Sequence, residues 1–150
     1  MTSLAFPQFP QLDETYTLGD RSWKWNGLGW EKLTEAVSKP YGIVAYSPGI
    51  PEPNDVLLPH IAAWAAEFPP DLVGSYAIAV VAATSQTDIA INVSGTQVGT
   101  MRFAAGSAVG TFLPGAAFSL AQGDVLTVVA PALADATLSD ISFTLTGSRV

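Results

Sequence analysis

From residue 76 onward, the chain alternates short apolar runs with small and turn-forming residues, and the spacing is that of strands rather than helices. Tyr76-Ala77-Ile78-Ala79-Val80-Val81, Ile89-Ala90-Ile91-Asn92-Val93 and Val98-Gly99-Thr100-Met101-Arg102-Phe103 each predict a strand, with Ser94-Gly95 and Gly106 as punctuation. Further strands are expected at Gly110 to Phe112, Ala116 to Leu120, Val125 to Ala130 and Ile141 to Thr146, with Gly123-Asp124 turning the chain into the penultimate one. Two antiparallel sheets packed face to face would bury the alternating apolar positions. The pattern therefore predicts an all-β chain ending in a jelly-roll-like sandwich.

The preceding segments read differently. Between Val56 and Phe68, Ile61, Trp64, Ala65 and Phe68 have helical spacing. Over the same stretch Val56, Leu58, Ala62, Trp64, Ala66 and Phe68 alternate, interrupted at His60, so helix and strand both stay open. Pro40, Pro48, Gly49, Pro51 and Pro53 crowd residues 40–54, which predicts a semi-rigid connector and a division of the chain into residues 1–53 and a sandwich domain over 54–150. Leu33 to Lys39 fits a short turn of helix.

The first third carries the clearest local signal, Tyr16 to Glu31, YTLGDRSWKWNGLGWE. Asn26-Gly27 suits a two-residue type I′ hairpin loop, in which both central residues take positive φ. That register sets Trp25 opposite Leu28 and Trp23 opposite Trp30. A turn at Gly19-Asp20 pairs Leu18 with Arg21 and Tyr16 with Trp23, giving a three-stranded meander with one aromatic face. So small a sheet needs a covering partner. Ahead of it, Phe6-Pro7-Gln8 and Phe9-Pro10-Gln11 favour an extended, polyproline-like arm with two apolar anchors.

Composition narrows the functional classes. The chain has 150 residues, room for one ordinary domain with an appended element. A net charge of −7 without any basic cluster argues against nucleic acid and anionic membrane surfaces. No cysteine is present, which removes disulfides, thiolate metal sites and cysteine nucleophiles. The opening MTSLAFPQFP lacks a basic segment followed by an apolar one, and no apolar run reaches the ~18 residues of a membrane helix, so neither a signal peptide nor a membrane span is expected. Only 13% of residues are charged, against roughly 25% in a typical soluble domain, which suits a surface partly covered by copies of the chain.

Candidate chemistry is sparse. His60 is the single histidine; a multi-histidine zinc site cannot be built from it, and no G-x-S-x-G elbow supports a serine nucleophile. It reads as a satisfied or exposed strand residue. Asp124, Asp135 and Asp140 could in principle supply carboxylates for sugar hydrolysis or oxygens for calcium, but in their Gly-Asp and Ala-Asp-Ala settings they read as turn-closing residues. The glycines do not form a phosphate loop. No catalytic residue, metal or cofactor is expected. The tryptophan face has three readings, in this order: internal or intersubunit packing, docking on a partner protein, and stacking on sugar rings.

TYTLGDRSWKWNGLGWE resembles a segment recurrent near the start of bacteriophage tail-fibre and other virion structural proteins. Val73 to Ala77, Val98 to Gly106, Gly123 to Leu126, Ala130-Pro131 and Asp135 to Ile141 resemble the β-sandwich of phage and prophage tail proteins, in the same order along the chain. The resemblance implies a non-enzymatic virion component, made in the host cytoplasm: a short fibre or spike, with a capsid-decorating knob or a carbohydrate-binding module for host glycans as alternatives. It implies a homo-oligomer, expected as a trimer, contacting other virion proteins. Extended fibre shafts have no counterpart between the two motifs. Docking on the particle would then fall to Phe6, Phe9, Tyr16, Trp23, Trp25 and Trp30, with the sandwich facing outward and available for host attachment.

Overall fold

The computed structural model describes residues 6–19, 21–33, 39–113 and 115–150, and it is all-β. Two compact units divide between Val37 and Ser38. The first is a three-stranded antiparallel sheet of β1 (Thr15–Leu18), β2 (Arg21–Trp25) and β3 (Trp30–Leu33). Tyr16 pairs with Trp23 and Leu18 with Arg21, the register expected from a turn at residues 19–20. The second hairpin departs from expectation. Trp25 lies opposite Trp30, and Trp23 opposite Lys32, across a four-residue loop in place of the two-residue one. The cause is the Asn26 side chain: its Oδ1 accepts hydrogen bonds from the backbone N–H groups of Leu28 at 2.9 Å and Gly29 at 2.8 Å, while the Asn26 N–H donates to the Gly29 carbonyl at 3.1 Å. Asn26 thus closes an Asx-type turn. Trp25 gains an aromatic partner directly across the ladder, with ring centroids 5.7 Å apart.

The second unit contains β4 (Lys39–Ser47), β5 (Val56–Ile61), β6 (Ala66–Phe68), β7 (Tyr76–Val81), β8 (Thr87–Val93), β9 (Thr96–Phe103), β10 (Val109–Phe112), β11 (Phe118–Leu120), β12 (Val125–Val129) and β13 (Ser139–Arg149). One antiparallel ladder runs β11-β6-β13-β7-β10-β9-β8-β12-β5, with β4 along the other edge of β13. It wraps into a sandwich-like fold around one core. Ile141, Phe143 and Leu145 of β13 share that core with Ile89 and Ile91 of β8, Met101 and Phe103 of β9, and Leu126 and Val128 of β12. The outward positions of β13 are Ser142, Thr144 and Thr146, so period-two alternation holds along the longest strand. Ser94-Gly95, with φ of 48° and 86°, links Val93 to Thr96 as a two-residue hairpin with both residues at positive φ, the geometry that Asn26-Gly27 does not adopt.

β13 is the hinge of the topology. Residues 139–144 pair with β7, whereas Ser148 and Arg149 pair with β6 on the same edge. At the handover, the Thr146 N–H donates to Ser75 Oγ at 2.9 Å. Gly147 is needed there, since a Cβ would lie 2.6 Å from the Glu67 carbonyl oxygen and 3.0 Å from the Phe68 ring.

One expectation is corrected here, and one open choice is decided. The stretch expected as a connector from residue 40 contains β4, which pairs with β13 from Lys39 to Ser47 and buries Tyr41 and Ile43. Pro40 lies at the strand's start, and among the described strands β4 is paired along one edge only, which accommodates the missing N–H. The structural division therefore precedes Pro40 rather than following Pro53. The open segment 56–68 is two short strands, β5 and β6. Its mixed periodicity comes from a bulge: Val128 pairs with Leu58 and Val129 with Val56, leaving Leu57 unpaired, so that Leu57 and Leu58 both pack against the core. The turn of helix expected over Leu33 to Lys39 falls largely on residues 34–38, outside the described residues; Leu33 ends β3 and Lys39 begins β4.

Candidate docking surface

In the N-terminal unit, strand alternation puts Trp23 and Trp25 on one face, and cross-strand pairing adds Tyr16 and Trp30. Phe6 closes the cluster. Its ring stacks on Trp30 at a centroid distance of 5.2 Å and meets Tyr16 and Trp23 edge-on, each at 5.3 Å. Such pairs contribute about 0.5–1.5 kcal/mol each beyond area burial, which helps so small a sheet hold together. Five of the six residues expected to dock are thus brought together, but they pack on one another and are half-buried. Stacking of these tryptophans on sugar would compete with that packing.

Phe9 stands apart, 92% exposed. Leu28, at the tip of the Asn26–Gly29 loop, is 94% exposed, and Leu12 is also exposed, with its Cδ1 beside Gly27. Among the described residues of this unit, Phe9, Leu12 and Leu28 are the most exposed large apolar side chains, well beyond Leu33 at the end of β3. Leu12 and Leu28 were not singled out by the sequence pattern, which seated Leu28 inside a strand opposite Trp25. The Asn-Gly-Leu-Gly spacing, with Asn able to cap the loop, is the signal that could have placed Leu28 at a tip. Asp13 steadies this surface through an ion pair with Lys24 at 2.8 Å, and the Gln11 N–H donates to Glu14 Oε2 at 2.7 Å.

The polar candidates of the second unit are held by its own backbone and hydroxyls. Asp135 is buried at 6% exposure. Its Oδ2 accepts from the backbone N–H and hydroxyl groups of Thr84 and Ser85, at 2.7–3.0 Å. Its Oδ1 accepts from the N–H groups of Thr137 and Leu138, both at 2.9 Å, and the Thr137 hydroxyl sits 2.7 Å away, also within reach of the Ala82 carbonyl. Hydrogen bonds, from Thr137 first and then Thr84, Leu138 and Ser85, outweigh desolvation and hold this carboxyl far below the usual carboxylate range. Asp140, at φ 58°, accepts from the Gly49 N–H and the Tyr46 hydroxyl, which lowers its pKa and raises that of Tyr46. Asp124 Oδ2 accepts from the Ala121 N–H at 2.9 Å across its turn. His60 Nε2 lies 2.9 Å from the Tyr41 hydroxyl on the neighbouring strand.

Among the described residues, no group of three or more His, Cys, Asp or Glu side chains is arranged to hold a metal ion, and no helix is long and apolar enough to cross a membrane. A shallow groove of about 630 Å³ runs beside β6 and β11, lined by Phe68, Pro70, Phe118, Ser119, Thr146 and Ser148. Phe118 stacks on Phe68 with centroids 4.8 Å apart and remains half-exposed. No protein-family model matches the sequence, and no curated protein matches it significantly.

Proposed function

We propose that the chain is a non-enzymatic structural subunit of a bacteriophage virion, a short fibre or spike whose N-terminal unit docks on the particle and whose sandwich faces outward. The observation that carries this reading is the apolar tip of the N-terminal unit. A three-stranded module that uses its aromatic face to hold itself together leaves Phe9, Leu12 and Leu28 in solvent, side chains that contribute nothing until a partner covers them. The carboxylates of the second unit support a structural role, because Asp135, Asp140 and Asp124 are occupied in closing turns. The order of the two sequence resemblances adds the phage context.

The test is incorporation. Phe9→Ser with Leu12→Ser and Leu28→Ser should reduce the amount of this protein in purified particles while leaving its thermal unfolding unchanged. Unaltered incorporation would count against docking through this tip.

A second reading, host-glycan binding at the β6–β11 groove, is favoured by the half-exposed Phe118 ring beside the hydroxyls of Ser119, Thr146 and Ser148. Here Phe118→Ser should abolish binding on a glycan array and spare incorporation.

A further inference from the structure

Strand β7 is packed the wrong way round for a strand whose outer face meets water. Its small residues Ala77 and Ala79 point into the core, and its bulky ones, Tyr76, Ile78 and Val80, point out, with Tyr76 75% and Val80 76% exposed. The inward choice has a local cause. Gly110 of β10 pairs with Ala77, and a Cβ there would lie 2.8 Å from the Ala77 Cβ and 3.0 Å from the Phe103 ring, so the interior at this point has no room for larger side chains. The outward choice has no cause within the described unit. Threonine or lysine would satisfy a solvated face equally well, whereas three bulky apolar side chains gain stability only when water is removed from them.

Neighbouring strands extend the same surface. Val44 and Tyr46 of β4 lie across β13 from Tyr76 and Ile78, and Val109 of β10 lies opposite Ile78. Between the two apolar rows, β13 contributes only Ser142 and Thr144, so the face carries a trough of about 570 Å³ floored by small polar residues, with the β7 row as a ridge beside it. Strand spacing puts ridge and trough about 4.8 Å apart. A surface with both features can complement a copy of itself.

We propose that this β4-β13-β7-β10 face is the self-association surface of the protein, covered in solution by the same face of a second copy.

Charge supports a second copy as the occupant. At a net charge of −7, two chains repel wherever carboxylates meet, yet the outward positions of these strands carry no ionised side chain until Asp140 at one end, where Tyr46 and Gly49 hydrogen-bond it. The outer surface of β8 and β9 is the opposite case, with the half-buried ion pair Asp88–Arg102. Area is also sufficient. Val44, Tyr46, Tyr76, Ile78, Val80 and Val109 are each more than half exposed, which makes an apolar patch larger than the roughly 300–600 Å² usual on a monomer and comparable with the ~800 Å² per partner of a standard interface. Sheets packed across it would sit ~10 Å apart, the ordinary spacing of a sandwich.

Sedimentation of the full chain across the micromolar range tests this. Wild type should run as a dimer, because a face that covers its own copy closes a twofold pair, and not as the trimer expected from the sequence resemblance. Tyr76→Glu with Ile78→Glu should run as a monomer with an unchanged far-UV circular dichroism spectrum. The milder Ile78→Thr should weaken association at least tenfold. Ile61→Glu with Leu133→Glu, at equally exposed positions off this face, should leave the oligomer intact. A monomeric wild type overturns the proposal, whether the face is open or covered by the chain's own N-terminal unit; so does an oligomer indifferent to Tyr76→Glu with Ile78→Glu. Particle incorporation of the tip variants is read separately, so either proposal can fail alone.

Discussion

Thr84 meets Asp135 twice across 51 residues of sequence: its backbone N–H at 3.0 Å and its hydroxyl at 2.7 Å both donate to the same carboxylate oxygen. With Ser85 on that oxygen and Thr137 and Leu138 on the other, the side chain pins the turn after β7 to the turn before β13. Its removal strands several donors at once. Asp135→Ala should cost on the order of 3 kcal/mol, because each unsatisfied buried group carries about 1–3 kcal/mol. A thermal midpoint lowered by roughly 10 °C is the expected reading in calorimetry. A change under ~1 kcal/mol would show the carboxylate to be replaceable by water.

The same carboxylate sets a pH dependence. Its folded pKa lies below its unfolded value, so the unfolded chain takes up the proton first as pH falls. The stabilisation is complete above the unfolded pKa of ~3.9 and is lost progressively as pH drops below it. Asp88 and Asp140, also lowered, act in the same direction. Denaturant midpoints measured from pH 7 down to pH 2 should be flat and then fall. Asp135→Asn should be less stable at pH 7 and show a shallower acid slope.

Asp88 and Arg102 offer the contrast. Arg102 Nε and Nη2 reach the two Asp88 oxygens, each at 2.6 Å, directly across the β8–β9 ladder, but both side chains are about a third exposed. A double-mutant cycle with Asp88→Asn and Arg102→Gln should return only about 0.2–1 kcal/mol, falling with added salt.

Gly147→Ala should destabilise the second unit by roughly 2 kcal/mol or more, since the added methyl meets a backbone carbonyl that cannot move without disturbing the β6–β13 ladder. Gly42→Ala on β4 is the control: nothing lies within 4 Å of a Cβ there, and chemical denaturation should register little change.

Phe6→Ala should expose Trp23 and Trp30, shifting tryptophan emission to the red, while the cooperative unfolding of the second unit keeps its midpoint. An unshifted spectrum would mean that the ring does not shield them.

Much of the fold was legible in the sequence because its signals are local. Period-two alternation located β7 to β13, and Ser94-Gly95 and Gly123-Asp124 marked turns, since side-chain direction and positive φ are decided within a few residues. Tyr16 opposite Trp23 followed from turn length alone. Tertiary structure decided what depends on a distant partner. β4 is a strand despite its proline because β13, a hundred residues on, supplies the ladder. Leu57 faces the core because β12 imposes a bulge. The Asn26 loop opened to four residues because Trp25 pairs with Trp30 once the Asx turn forms. Above all, alternation says that β7 has two faces but not which is buried. Alanine went inward and Tyr76, Ile78 and Val80 outward because Gly110 and Phe103 had already taken the space on the inner side, a constraint written in the neighbouring strands and visible only when they meet.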